Sequence, residues 1–298
     1  MIFNIIATLV IGSALYSSYK DFRKDSSLLK MAYFTRPLDY LWSFLMVIGV
    51  MTTVITLASV GLPKFMTWSW ISMLGDGSAD APSGNILAAP FKSGSVIISV
   101  NYQKAPEHPF PIPFDDCYST LLWAAENAAM LGIEPSQIGV GGDSAGGNLA
   151  AGVAIKARDT GDVNLAFQLL IYPCNDNEMN YESAHKNGDG YGLSTRAMKW
   201  FWEQYLSKKS DAKNPYAVPV AAKDFKNLAP AIITTAEFDP LLDDGYIYAE
   251  LLRKSGVPTI YREYEGVIHG YFTLAGITPE AEVLHRHVTD EINALLAR

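Results

Sequence analysis

The chain has 298 residues, enough for one large domain or two of ordinary size. Its 23 Lys and Arg side chains against 31 Asp and Glu give a formal net charge of −8. This balance provides no basic field, so we do not expect nucleic acid or anionic lipid headgroups as partners. Cys117 and Cys174, the two cysteines, form neither a metal-ligand spacing nor a disulfide framework and are expected to be reduced.

The N-terminal part of the chain holds most of its hydrophobic excess. Two segments without charged residues, Met1–Tyr19 and Leu41–Leu62, are close to the length of about 20 apolar residues that crosses a bilayer. Tryptophans flank the second segment, as in an aromatic belt. We therefore predict a membrane segment over residues 1–72 with two transmembrane helices. A pair of buried helices is the alternative, although globular helices usually carry a polar stripe.

The loop between the two apolar segments carries five basic residues against three acidic ones: Lys20, Arg23, Lys24, Lys30 and Arg36 against Asp21, Asp25 and Asp39. By the positive-inside rule this loop lies in the cytoplasm and both termini lie outside. The remainder of the chain would then face the periplasm or the exterior. If the N-terminal segment is not a genuine anchor, we expect a cytoplasmic protein instead.

From about Gly75 the composition becomes that of an α/β domain, which we assign to residues 73–298. A turn-rich loop or boundary is predicted at Gly75–Asn85. Apolar strand patterns then alternate with helical ones, which indicates a mostly parallel, doubly wound sheet with its site at the carboxyl ends of the strands. The predicted strands are Ser95–Tyr102, Gln137–Gly141, Phe167–Tyr172, Ala231–Thr235 and Thr259–Tyr264, and the predicted helices are Asp115–Leu131, Ser144–Arg158, Ser194–Leu206, Pro240–Lys254 and Thr278–Leu296.

Ser144 lies in the sequence Gly142-Asp143-Ser144-Ala145-Gly146, between a predicted strand and a predicted helix. A nucleophilic serine on such a strained turn needs small neighbours, which the glycines provide. The N-terminus of the following helix favours developing negative charge. The pattern therefore predicts that Ser144 is a nucleophile; a simple capping serine is the alternative.

A nucleophilic serine requires a histidine base, and the chain has five histidines. His269 follows the last predicted strand between Gly266 and Gly270, and it fits the order Ser, acid, His that is expected on this scaffold. It is therefore the predicted base. The remaining histidines lie on the final helix or in loops and are interpreted as surface or packing residues: His108, His185, His285 and His287.

The orienting acid should follow a strand that lies between the serine and the histidine. Asp239 comes after the predicted strand Ala231–Thr235 and precedes a proline that opens the next helix. Asp243 and Asp244 lie one turn into that helix, where acidic side chains favour the helix N-terminus. We therefore predict Asp239 as the acid.

Five stretches together resemble the hormone-sensitive-lipase-like family of α/β-hydrolases, the bacterial family IV esterases. They are VNYQKAPEHPFP (Val100–Pro111), GGDSAGGNLA (Gly141–Ala150), QLLIYP, AEFDPLLDDG and IHGYF. The resemblance covers roughly Gly75–Arg298. It implies a serine carboxylesterase for short to medium acyl esters with a Ser144, Asp239 and His269 triad. It further implies that the Ala145 N–H is an oxyanion donor and that neither a metal nor a cofactor is needed.

The sequence departs from that family at its oxyanion loop. The family carries an HGGG motif after its third strand, whereas this chain has no HGGG and places Trp68-Ser69-Trp70-Ile71 there. Glycines allow close backbone approach to the substrate, and losing one oxyanion donor typically costs about 10²–10³ in rate. Lys64–Ile71 could replace the missing strand, but we interpret it instead as the exit of the second membrane helix. The usual N-terminal cap is also absent.

Three hypotheses follow for function. The first is a membrane-anchored serine esterase with an unconventional or weakened oxyanion hole. The second is a catalytically impaired hydrolase-like domain that serves as a binding module at a membrane. The third is a truncated esterase fused to an unrelated membrane segment. The intact triad favours the first over the second, whereas the abrupt composition change near Gly75 favours the third. The sequence indicates no oligomeric state.

Overall fold

The computed structural model describes residues 72–76, 95–274 and 278–296 of the chain. The chain divides into two units, Met1–Thr67 and Trp68–Arg298, and all of the described residues belong to the second. The two apolar segments predicted to cross a membrane, Met1–Tyr19 and Leu41–Leu62, lie outside the described residues. None of the described helices is long and apolar enough to span a bilayer.

Six strands form one sheet in the described part of the chain. They are β1 (Ser72–Asp76), β2 (Ser95–Ser99), β3 (Gly139–Asp143), β4 (Gln168–Ile171), β5 (Ala231–Phe238) and β6 (Thr259–Ile268), and their order across the sheet is β2-β1-β3-β4-β5-β6. Strands β3 to β6 are parallel neighbours, and β1 runs antiparallel to both β2 and β3. The prediction of a mostly parallel α/β-hydrolase sheet is therefore confirmed.

Strand β1 corrects the expectation of a loop that begins at Gly75, because Gly75 and Asp76 belong to this strand. With Lys64–Ile71 interpreted as the exit of a membrane helix, we also expected the sheet to lack an inner strand. The inner position is filled by β1, which pairs with β2 on one side and β3 on the other. Filling it satisfies the backbone groups of both neighbours, which would be costly to bury unpaired. Lys64–Ile71 itself lies outside the described residues.

Seven α-helices occur among the described residues: α1 (Ile112–Glu126), α2 (Ala128–Leu131), α3 (Ala145–Thr160), α4 (Glu182–Lys186), α5 (Thr195–Tyr205), α6 (Leu242–Lys254) and α7 (Pro279–Leu296). The predicted single helix Asp115–Leu131 is divided at Asn127. The backbone of Asn127 leaves the helical region, and its side chain donates to the Trp123 carbonyl oxygen at 2.8 Å. Asparagine side chains compete in this way with the helical backbone pattern.

The sheet is buried on both faces because successive residues of its inner strands point to opposite sides. Ile233 belongs to a core with residues of α1, α3 and α6, whereas its neighbour Ile232 belongs to a second core with residues of α7. Gly147 allows α3 to approach the end of β4. A Cβ atom at Gly147 would lie 2.9 Å from the Cβ of Pro173 and 3.3 Å from the Gly142 carbonyl oxygen. This close packing fixes the turn that precedes α3.

Candidate active site

Ser144 occupies the turn between β3 and α3. Its φ of 54° and ψ of −118° lie outside the regions that non-glycine residues favour, which is typical of a side chain held at a functional turn. The turn is fixed by the Ser144 N–H, which donates to the Ile171 carbonyl oxygen at 2.9 Å. Ala145 is the first residue of α3, so its N–H belongs to the positive end of the helix.

His269 follows β6 directly. Strand β6 runs to Ile268, four residues beyond the predicted end at Tyr264, and thereby carries the histidine to the edge of the sheet. Gly266 and Gly270 on either side have φ values of 74° and 86°, which explains why glycines stand there. The Gly266 N–H donates to the Glu237 side chain at 2.7 Å, which attaches this bend to β5.

Asp239 follows β5 and is fully buried. Its Oδ1 accepts the N–H of Leu241 at 2.8 Å, and its Oδ2 lies 2.7 Å from the Nδ1 of His269. The Nε2 of His269 in turn lies 2.9 Å from the Oγ of Ser144. Residues that are separated by up to 125 positions in sequence thus form one hydrogen-bonded chain at the carboxyl ends of β3, β5 and β6.

The other histidines and aspartates considered from the sequence have different surroundings. His285 is buried beside the Phe272 carbonyl oxygen, and the Nδ1 of His287 lies 3.0 Å from the Tyr264 hydroxyl. Asp243 accepts the Ser183 N–H at 2.7 Å, and Asp244 accepts the N–H of Asn175 at 2.9 Å. None of these four side chains joins the chain of hydrogen bonds at Ser144.

The surroundings of His269 favour the protonated imidazole more than water does for a free histidine. Burial lowers the pKa of His269, but the charge of Asp239 and its hydrogen bond outweigh burial, with a smaller contribution from Asp143. The net effect is a pKa raised above the ordinary value of 6.5. Such an arrangement stabilises the imidazolium that forms when a histidine accepts a proton from a serine.

A cavity of about 380 Å³ opens at Ser144. Its volume lies at the lower end of the range of about 300–1,000 Å³ for small-molecule sites. The walls are mostly apolar, and helix α5 contributes a large share of them. The residues of α5 that line the cavity include Met198, Phe201, Trp202 and Tyr205, which we did not predict as part of the site. Their helical spacing was the only available signal, and spacing alone does not distinguish a packed face from a cavity wall.

The oxyanion region is only partly described. Ser72 pairs with Gly141 and Leu74 with Gly139, so the beginning of the antiparallel β1, not its end, lies at the edge of the sheet that holds Ser144. Ala145 is placed in the cavity wall beside Ser144. Trp68–Ile71, which stand in the sequence at the position of the HGGG motif, precede Ser72 and lie outside the described residues.

Fold and site geometry define the class of this protein. The profile of the α/β-hydrolase fold family matches residues 77–273, and the chain belongs to that family. The resemblance to its hormone-sensitive-lipase-like, bacterial family IV branch is confirmed by the relatives that the chain matches.

Among curated relatives, the carboxylesterase NlhH of Mycobacterium tuberculosis (strain CDC 1551 / Oshkosh) is 41% identical over 190 residues, which cover 63% of this chain and 60% of NlhH. The esterase LipI of Mycobacterium tuberculosis (strain ATCC 25618 / H37Rv) is 37% identical over 207 residues, with coverage of 69% and 64%. The chain thus spans less than two thirds of the length of either relative.

Solved structures give the same result for the fold. The thermostable carboxylesterase EstE1, cloned from a metagenomic library, superposes with a TM-score of 0.67 at 35% identity, covering 70% of this chain and 71% of EstE1. A Pyrobaculum calidifontis esterase superposes with a TM-score of 0.66 at 38% identity, covering 72% of this chain and 69% of that esterase.

Proposed function

We propose that this protein is a serine carboxylesterase that hydrolyses short to medium acyl esters through an acyl-enzyme intermediate. The observation that carries the proposal is the hydrogen-bonded chain from Asp239 through His269 to Ser144, which ends in a largely apolar cavity. The names of the relatives, carboxylesterase and esterase, support the same reaction class.

In the proposed reaction Ser144 is the nucleophile. Its Oγ attacks the ester carbonyl while the Nε2 of His269, 2.9 Å away, accepts the hydroxyl proton. Asp239 keeps the Nδ1 of His269 protonated and stabilises the imidazolium. The Ala145 N–H donates to the oxyanion of the tetrahedral intermediate, and the protonated His269 then gives its proton to the departing alcohol. Water repeats these steps on the acyl-enzyme and releases the acid.

The substrate class follows from the cavity. Its apolar walls fit an acyl chain, and its volume of about 380 Å³ suits a chain of short to medium length. We therefore expect hydrolysis of p-nitrophenyl esters to be fastest for acyl chains of a few carbons and to decline for long chains that exceed the cavity.

The first experiment is hydrolysis of p-nitrophenyl butyrate by the purified full chain in detergent, beside a Ser144→Ala variant. We expect turnover in the wild-type protein and near-background rates in the variant, with equal melting temperatures. Equal rates in both folded proteins would overturn the proposal and favour the binding-module hypothesis. A fluorophosphonate label on Ser144 separates a reactive serine with a weak oxyanion hole from an unreactive one.

We propose further that residues 1–72 anchor the protein in a membrane and place the hydrolase domain on the periplasmic or extracellular side. The support is the uncharged apolar segment Leu41–Leu62 and the basic loop before it. Because Cys117 and Cys174 are both buried, a cysteine introduced on the exposed face of α7 can be labelled selectively in intact cells. Labelling by a membrane-impermeant maleimide is expected; labelling only after lysis would place the domain in the cytoplasm. A transcript that is discontinuous across codons 60–90 would favour the fusion hypothesis.

A further inference from the structure

A second carboxyl group lies next to the proposed catalytic residues. Asp143 ends β3 and directly precedes Ser144. Its Oδ2 accepts a hydrogen bond from the hydroxyl of Tyr172 at 3.2 Å. The ring of Tyr172 lies against the imidazole of His269, with 4.5 Å between the ring centroids and an angle of 55° between the planes. Tyr172 therefore touches both the histidine and the residue before the serine.

The backbone holds Tyr172 firmly in this position. Its side chain is fully buried, and its N–H donates to the Thr234 carbonyl oxygen at 2.7 Å. Its φ of 35° is unusual for a non-glycine residue, and conformations of this kind persist where the surroundings over-determine them. The ring of Tyr172 also packs against the ring of Tyr271, with 5.7 Å between the ring centroids. Tyr172 thus provides a rigid packing surface for the imidazole of His269.

We infer that Tyr172 and Asp143 act together as positioning residues for His269: the tyrosine ring sets the plane of the imidazole, and the tethered carboxyl places a second negative charge beside it. The inference rests on the proposed esterase function and extends it. Neither residue lines the cavity, so they act on the histidine and not on substrate binding.

The charged and titratable groups around this pair come from five strands, β2 to β6, and the segments that follow them. His269 is faced by Asp239 after β5, by Asp143 at the end of β3 and by Tyr172 after β4; Tyr102 and Cys174 also lie near Asp143, and Tyr271 lies near Tyr172. Burial raises the pKa of Asp143 to about 6, although His269 and the Tyr172 hydroxyl lower it in part. The carboxyl is therefore ionised at neutral pH, where it favours the imidazolium form of His269.

Two conservative variants separate the charge of the pair from its shape. Asp143→Asn removes the charge and keeps an oxygen that accepts from the tyrosine, and Tyr172→Phe keeps the ring and removes the hydroxyl. We expect kcat to fall about 10-fold for Asp143→Asn and about 3- to 10-fold for Tyr172→Phe, with KM unchanged. The acidic limb of the pH–rate profile should move to lower pH in both variants. Asp143→Asn removes the negative charge that stabilises the imidazolium, whereas Tyr172→Phe removes a hydrogen bond that lowers the pKa of Asp143, so that less of this carboxyl is ionised where His269 titrates.

The controls address folding and additivity. The double variant should resemble Asp143→Asn alone, since the hydroxyl acts through the carboxyl. Tyr248→Phe removes the hydroxyl of another fully buried tyrosine, located on α6, and should leave the pH profile unchanged. A purely structural role for Tyr172 would lower the melting temperature without moving the acidic limb.

A measurement that needs no turnover completes the test. The titration of His269 is followed by NMR in the full chain labelled with ¹⁵N-histidine, with the His269 signal assigned from a His269→Gln variant. We expect a lower pKa of His269 in Asp143→Asn and Tyr172→Phe than in the wild-type protein. Unchanged titrations in both variants overturn the inference, even in an active enzyme. If neither the wild-type protein nor the variants show Ser144-dependent turnover, the proposed function fails. The NMR titration still decides in that case whether Asp143 and Tyr172 act on His269.

Discussion

The side chain of Asn187 is hydrogen-bonded to the backbone of Asp239. Its Nδ2 donates to the carbonyl oxygens of Asp239 at 3.2 Å and of Glu237 at 2.9 Å. Asn187 is buried at the end of α4, so a segment distant in sequence supports the backbone from which the proposed acid projects. The hydrogen bonds to the carboxylate of Asp239 orient its oxygens, and the bonds from Asn187 fix where the carboxylate stands.

Asn187→Ala removes the donor from both carbonyl groups. An unsatisfied buried polar group costs about 1–3 kcal/mol, so we expect a free energy of unfolding lower by about that amount. A shift of Asp239 should also lower kcat about 10-fold, because catalytic groups tolerate little misplacement. The matched control is Asn127→Ala, which removes one exposed side-chain bond to the Trp123 carbonyl and should leave kcat unchanged. Equal kcat values in wild type and Asn187→Ala would show that Asn187 has only a structural role.

Asp239→Asn should inactivate the enzyme while preserving its fold. The amide oxygen must face the Leu241 N–H, which needs an acceptor, so the amide nitrogen faces the Nδ1 of His269. The Nδ1 of His269 then has to accept a hydrogen bond from this amide, so the imidazole proton moves to Nε2. A protonated Nε2 can no longer take a proton from Ser144. In serine proteases this change costs about 10⁴ in kcat, and we expect a loss of about 10³–10⁴ here.

The same substitution at Asp243 is the control for Asp239→Asn. Asp243 lies four residues later and accepts the Ser183 N–H, away from the histidine. Asp243→Asn should keep kcat within about twofold of the wild type, because the amide oxygen still accepts that bond. A large loss of kcat in Asp243→Asn, with Asp239→Asn remaining active, would reverse our assignment of the acid.

The pH dependence of kcat/KM should reflect the titration of His269 in the free enzyme. Burial lowers the pKa of His269, but the charge of Asp239 and the hydrogen bond to it raise the pKa by more, so the net shift is upward from 6.5. The base is active only when neutral. Activity should therefore be full at alkaline pH and fall as the pH decreases through a midpoint above 6.5. Initial rates with p-nitrophenyl butyrate between pH 5 and 9 test this; a midpoint at or below 6.5 would contradict it.

Much of the hydrolase domain could be predicted from the sequence because its signals are local. The apolar strand Ala231–Thr235 and the turn at Ser144 have specific residue patterns, and the chain order of serine, acid and histidine identifies partners that are distant in sequence. The part that escaped prediction depends on tertiary contacts. Nothing in the local pattern of Asn187 indicates that it supports Asp239.

Strand β1 illustrates the same limit for the fold. Its five residues, SMLGD, contain a glycine and an aspartate, which are both depleted in strands. What fixes the strand is the position between β2 and β3, where both neighbours offer unpaired backbone groups, and only the assembled sheet contains that information. The antiparallel direction of β1 likewise cannot be predicted from its amino-acid composition.

Asp244 provides a test of stability that is independent of catalysis. It is fully buried on α6, and its Oδ2 accepts the N–H groups of Asn175 at 2.9 Å and Asp176 at 3.1 Å. These bonds attach the segment after β4 to α6. Burial raises the pKa of Asp244 well above 3.8, and the two backbone N–H donors offset this only in part. The native protein therefore retains a proton on this group at pH values where the unfolded chain has lost it.

The sign of the pH effect follows from that difference in proton binding. Stability from the protonated Asp244 is fully present below the unfolded pKa of about 3.9 and is lost as the pH rises through the raised native pKa. Asp244→Asn keeps an acceptor oxygen and does not titrate. Its free energy of unfolding should therefore increase relative to that of the wild type as the pH rises, which urea unfolding at pH 5 and pH 8 can measure. Asp244→Ala should be less stable than Asp244→Asn at both pH values, by about 1–3 kcal/mol for each N–H group left without an acceptor. A constant difference between wild type and Asp244→Asn across this range would mean that Asp244 has the same protonation in the folded and unfolded chains.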